Sequence, residues 1–169
     1  MSDPSLRART IALWGERNPA LDTSPMEIVA QIKRISSLLD AAVEPIYAEA
    51  VLTAAEVELL VPLRYADEAV TAIRLAELLG MSRAAVSKTL ANLERKKMIS
   101  RTPNPADRRS ALITLSEAGM SAVDDVFPRE LEAHARLLAA LGADRNKVLT
   151  AFAHLAATLE SQLNPREGG

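Results

Sequence analysis

The chain has 169 residues, 49% of them hydrophobic, and a formal net charge of −2. That is enough apolar material for one domain or two small lobes, and it excludes a mainly disordered chain. It holds no cysteine, which removes disulfides, thiolate zinc sites, cysteine nucleophiles and thiol redox sensing together. Aromatic residues make up 3% and Ala and Leu dominate, so helices are expected over sheets. No apolar run approaches the ~18 residues of a membrane-spanning helix. The start, MSDPSLRARTIALWGERNP, lacks the apolar stretch of a signal peptide, so a cytoplasmic protein with no membrane partner is expected.

Residues 1–23 read as an irregular arm with one short helix near Leu6 to Glu16. Ser24-Pro25-Met26-Glu27 then predicts a helix start, with Ser as N-cap, Pro at the first helical position and Glu closing a capping box. Ile28, Ile32, Ile35, Leu39, Val43 and Ile46 follow at spacings of three and four, an apolar stripe on a helix to about Tyr47. Pro45 is expected to kink its end. Thr53-Ala54-Ala55-Glu56 is a second capping box, opening a helix to about Tyr65 in which Pro62 predicts a kink or an early stop. A third helix is expected over Thr71 to Leu79, closed by Gly80. Ser82 caps a fourth that ends near Lys97. Residues 98–115 predict a β-hairpin with strands near 98–102 and 110–115. Ser116 opens a fifth helix to about Leu141, with Val123, Phe127, Leu131 and Leu138 on its apolar side and a bend at Pro128. Gly142 breaks it, and Asp144 caps a last helix striped by Val148, Phe152, Leu155, Leu159 and Leu163. The tail NPREGG reads as a frayed end.

Charge is concentrated in one stretch of this plan. Eight cations lie between Arg83 and Arg109 (Arg83, Lys88, Arg95, Lys96, Lys97, Arg101, Arg108, Arg109) against Glu94 and Asp107, so this segment carries +6 and the rest of the chain −8. Such a patch is the footprint of a polyanion, and short helix, turn, helix and basic hairpin in that order point to double-stranded DNA. With Val86 taken as pointing inward, Leu90 and Leu93 share its side of the fourth helix. The opposite face then presents Ala84, Lys88, Ala91 and Arg95, flanked by Ser87. Small residues allow close approach to a major groove, while the hydroxyl and cations hydrogen-bond to base edges or phosphates. Ser82 and Arg83 stand at the helix N-terminus, whose free N–H groups favour phosphate. In the hairpin, Pro103 and Pro105 stiffen the loop, and Asp107 beside Arg108 and Arg109 is suited to pin one guanidinium while the other stays free. A free arginine on a stiff tip suits the minor groove.

The run LAELLGMSRAAVSKTLANLERKKMISRTPNPADRRSALITLSEAG resembles the winged helix of MarR-type regulators (multiple antibiotic resistance regulators). The hydrophobic-Gly-Met-Ser turn, AVSKTLANLE, Arg-x-x-x-Pro-x-Asp-x-Arg in the wing and the closing Leu-Ser-x-x-Gly carry the likeness, and the flanking helices extend it to about residues 24–163. The resemblance implies a mainly α fold with a small β-hairpin wing, a winged helix-turn-helix with N- and C-terminal dimerisation helices. It implies a homodimer that represses transcription from a pseudo-palindromic operator and is released by a small aromatic or amphipathic effector. The helices of 24–52 and 116–163 would form the dimerisation lobe, and 53–115 the DNA-binding lobe. Arg109 would enter the minor groove while Asp107 and Arg101 brace the wing. Two positions depart from the pattern: Lys97 stands where relatives have Gly, and Pro62 interrupts the helix that lines the family's effector pocket.

Other residues carry weaker signals. Tyr47 and Tyr65 end the first two main helices and are candidates to flank an effector pocket. Glu130 and His134 share a helix face at a spacing that suits a metal, but only two ligands lie there, so no metal is expected. Trp14 is assigned to core or dimer packing. There is no Gly-rich phosphate loop, HExxH or G-x-S-x-G motif, so neither catalysis nor a cofactor is expected. A winged helix that docks protein through its apolar helices is the alternative, and the basic stripe argues against it.

Overall fold

The computed structural model describes residues 6–163; the first five residues and the NPREGG tail lie outside them. In chain order the elements are α1 (Leu6–Arg17), α2 (Pro25–Glu49), α3 (Ala54–Arg64), β1 (Val70–Thr71), α4 (Ala72–Leu79), α5 (Arg83–Arg95), β2 (Ile99–Pro103), β3 (Ala111–Leu115), α6 (Glu117–Leu138), a 3-10 segment (Ala139–Asp144) and α7 (Arg145–Leu163). The chain divides into two compact units after His134, inside α6. The first unit holds the winged helix together with α1, α2 and most of α6. The second holds the 3-10 segment and α7.

Helix ends follow their caps. Thr53 forms the full capping box with Glu56 at the start of α3. Thr71 Oγ1 accepts the Arg74 N–H at 3.2 Å, and Ser82 Oγ the Ala85 N–H at 3.2 Å. The box expected at Ser24 does not form: Ser24 is itself helical (φ −55°, ψ −36°) and makes no side-chain cap bond. The approach to the helix is held from two residues earlier, where Asp22 Oδ1 accepts the Ser24 N–H at 3.0 Å. Hydrogen bonding from the Ser24 side chain, and then from its N–H, holds the Asp22 carboxyl below the usual carboxylate range. Pro45, Pro62 and Pro128 all sit inside helices that continue past them. Pro62 therefore does not end α3 early, although it supplies no amide to bond the preceding turn.

The hairpin is present as β2 and β3, but it belongs to a three-stranded antiparallel sheet of order β1-β3-β2. Val70 and Thr71 pair with Ile113 and Leu112; two residues are too few to show a strand period in sequence. The core lies where α3, α4, α5 and the sheet converge, around Leu52, Leu60, Leu75, Val86, Leu90 and Ile113, with Val123 and Val126 of α6 packed in. Farther along, the expected apolar stripes stay uncovered in the single chain. Leu131, Leu138, Phe152 and Leu159 are each about half exposed, and no residue of α7 is buried. Gly142 breaks the chain between α6 and α7 as expected, with φ 48°.

Candidate nucleic-acid interface

The recognition element is built from its two turns outward. Gly80 takes the left-handed conformation (φ 61°), and Met81 N–H donates back to the Ala76 carbonyl at 3.0 Å, closing α4 and aiming the chain at α5. On α5, Val86, Leu90 and Leu93 are fully buried. Ser82, Arg83, Ala84, Ser87, Lys88, Ala91 and Arg95 are all exposed, so the face expected to meet DNA is open along the helix. Arg95 is steadied by its own helix, its guanidinium donating to Asn92 Oδ1 at 2.8 Å.

At the far end of α5 the missing glycine is replaced by strain. Lys97 itself adopts φ 59°. Lys97 N–H reaches the Glu94 carbonyl at 2.9 Å and Met98 N–H the Leu93 carbonyl at 2.9 Å. This is a complete Schellman closure with a non-glycine corner. The wing therefore departs through the same turn that a glycine would give. Its roots are clamped from the other side. Ser116 Oγ donates to the Lys97 carbonyl at 2.7 Å and Ser116 N–H to the Met98 carbonyl at 3.0 Å. Gly119 is buried against that carbonyl, and a Cβ on it would stand 2.0 Å from Met98 O. This gives a physical reason for the glycine in Leu-Ser-x-x-Gly.

The wing tip is held by two side-chain turns. Asn104 Oδ1 accepts the Ala106 N–H at 3.0 Å while its Nδ2 donates to Ser110 Oγ at 2.9 Å. Asp107 Oδ1 accepts the backbone N–H of Arg109 at 3.0 Å. Asp107 thus holds the tip through the backbone instead of pinning a guanidinium, because an Asx turn lets a short carboxylate reach the amide two residues on. Neither Arg108 nor Arg109 is in an ion pair among the described residues. With Arg101, Thr71, Ile73 and Ser110, both line a cleft of about 400 Å³ between the wing and the start of α4. Arg101 is engaged, its Nε standing 3.1 Å from Glu94 Oε2.

Not every cation of the basic run serves this face. Lys96 turns back into the fold, its Nζ donating to Glu56 Oε2 at 2.7 Å and to the Val51 carbonyl at 2.9 Å. Glu56 is 3% exposed. Burial would raise its pKa, but the Lys96 hydrogen bond and the Thr53 N–H outweigh that and hold it below its ordinary value. Sequence reasoning assigned Glu56 only to a helix cap; a partner forty residues away leaves no local signal.

The two tyrosines have different surroundings. Tyr47 is half-buried and its hydroxyl donates to Glu130 of α6; burial, then the Glu130 carboxylate, raise its pKa. Tyr65 is 82% exposed and lies beneath the Arg64 guanidinium, 4.6 Å from the ring centre. Arg64 in turn makes a two-pronged pair with Asp124, both contacts at 2.8 Å. Glu130 also faces His134 at 3.9 Å, and no third His, Cys, Asp or Glu joins them among the described residues. Trp14 is about half exposed on α1.

A buried ridge, an exposed helix face with small and cationic residues, and a stiff arginine-tipped wing define a winged helix-turn-helix. Residues 52–111 match the model of the MarR family. The chain is 28% identical over 121 residues to the HTH-type transcriptional regulator PecS of Dickeya dadantii, covering 70% of this chain and 73% of that one. Its fold is similar to that of S. aureus MepR in a complex with DNA, at 25% identity and TM-score 0.69, over 79% of this chain and 96% of that one. It is also similar to Bordetella bronchiseptica BpsR, in a structure described as the mechanism by which 6-hydroxynicotinic acid regulates DNA binding. There the identity is 20% and the TM-score 0.67, over 78% of this chain and 98% of that one. Across residues 52–111 the chain is similar to MarR-family transcription regulators. No helix among the described residues is long and apolar enough to cross a membrane.

Proposed function

We propose that two copies of this chain bind a pseudo-palindromic operator and repress the genes beside it, each placing α5 in a major groove and its wing in the adjoining minor groove. The observation that carries this reading is the exposed row Ser87, Lys88, Ala91 and Arg95, set directly opposite three fully buried residues of the same helix. Ser82 and Arg83 at the helix start, with Arg108 and Arg109 at the wing, supply phosphate and minor-groove contacts around it. The exposed Ile28, Ile32 and Ile35 of α2 and Phe152 and Leu159 of α7 supply a subunit interface, because one recognition helix per chain reads only a half-site. Genome-wide mapping of bound sites tests the reading. Enriched sites with inverted half-sites about 10 base pairs apart, upstream of genes that are derepressed on deletion, are the expected result. Binding without inverted symmetry argues against it.

Release by a small molecule follows the description of BpsR. An effector frees DNA when it favours a spacing of the two recognition helices that misfits successive grooves. Without cysteine the signal is not thiol oxidation. Phenolic and other aromatic acids titrated against the protein–operator complex should release it. Release by peroxide alone would overturn the effector reading and direct attention to methionine.

A further inference from the structure

We propose that Glu94 is a specificity-determining residue, a carboxylate that gives up non-specific affinity for DNA in order to fix the wing against the recognition helix. This rests on the DNA-binding reading above. Glu94 lies in the last turn of α5 and its Oε2 stands 3.1 Å from Arg101 Nε. Arg101 sits at the middle of the edge strand β2, opposite Ile113 of the central strand β3, which also pairs with Val70 of β1. Arg101 lines the wing cleft together with Arg108 and Arg109. Three arginines thus line one cleft, and Glu94 is the only carboxylate in an ion pair with any of them among the described residues. The corner between α5 and β2 is turned by Lys97 in a strained left-handed conformation, so the ion pair spans the joint that sets the angle between helix and wing.

Two consequences oppose each other. Neutralising Glu94 frees one more guanidinium per subunit, which raises attraction to any duplex. It also unties the wing, so Arg108 and Arg109 meet the minor groove in less defined positions and discriminate less. A residue serving only fold stability would lower both affinities together.

The test uses the full chain and two 30-base-pair probes, a duplex selected from a random library by the wild-type protein and a scrambled duplex of the same composition. Glu94→Gln should bind the scrambled probe more tightly. Its salt slope should be steeper by up to about 2, for two freed cations per dimer. The ratio of selected to scrambled affinity should fall roughly two- to tenfold, as expected for two exposed pairs. The exchanged pair Glu94→Arg with Arg101→Glu should recover the wild-type ratio. Equal loss on both probes, or no change in the ratio, overturns the role of Glu94 while leaving DNA binding standing. A wild-type protein that selects no sequence overturns the DNA-binding reading itself, and this proposal with it.

Discussion

A lysine holds the left-handed corner at residue 97 where a glycine would sit without steric cost. Lys97→Gly should therefore stabilise the fold by about 1 kcal/mol, read as a higher urea midpoint with an unchanged slope. A lower midpoint would show that the corner is not strained. Gly119 is the converse case, since any Cβ there meets the backbone oxygen of Met98. Gly119→Ala should cost more than about 3 kcal/mol, read as a loss of cooperative melting or a sharply reduced Tm. Glu56 adds a pH dependence. Its folded pKa lies below the ordinary 4.5, so its contribution is fully present above that value and is lost as the pH falls through the folded value. Glu56→Gln should lose about 2 kcal/mol at pH 7, because Lys96 keeps its place without its charge partner. The deficit against wild type should begin to shrink as the pH falls below 4.5 and close below the folded value; a deficit constant with pH would mean the carboxylate charge is not what matters.

Among the elements, α5 and the wing are expected to contact DNA in different ways. Ser87→Ala or Lys88→Ala should cost about 1–3 kcal/mol, mainly on the selected site. Arg109→Ala should weaken binding at all sequences, with an extra loss where the flanks are A·T-rich. Gel-shift titrations on matched and mismatched duplexes separate the two; equal loss for Ser87→Ala on both would show that this face reads no bases. The elements were legible in sequence where the signal was local. A period of three and four exposed the buried ridge of α5, Thr53 and Ser82 marked helix starts with side-chain chemistry that acts within four residues, and Gly80 marked a helix end through its left-handed turn. Ser24 misled because Asp22 offered the same oxygen two residues earlier. The third strand, the Lys96–Glu56 pair and the Ser116 clamp were not legible, since each joins residues far apart in the chain and none imposes a pattern on its neighbours.

For the whole molecule, charge and apolar surface give separate expectations. With Lys96 folded inward and Arg101 paired, six cations of the run remain for DNA. If about four per subunit touch phosphate, a dimer neutralises about eight, and log K should fall against log salt with a slope near −7. A slope near −2 would show that the basic face contributes little. Sedimentation at micromolar concentration should return twice the chain mass of 18.2 kDa. A monomer that binds its operator tightly would leave the stripes of α2 and α7 without the role assigned to them.

The clamp at the two roots of the wing has a consequence for how the protein can change. Lys97 and Met98 at one root are bonded to Ser116 at the other, so residues 99–115 leave and return through a single closed gate. Lengthening or exchanging the stretch between Asn104 and Ser110 alters a loop whose ends are already fixed, and closing a few more residues costs little. The wing is thus a replaceable cassette. A tip transplanted from another regulator should change the preferred flanking sequence without shifting the register of α6 or the melting of the rest of the chain.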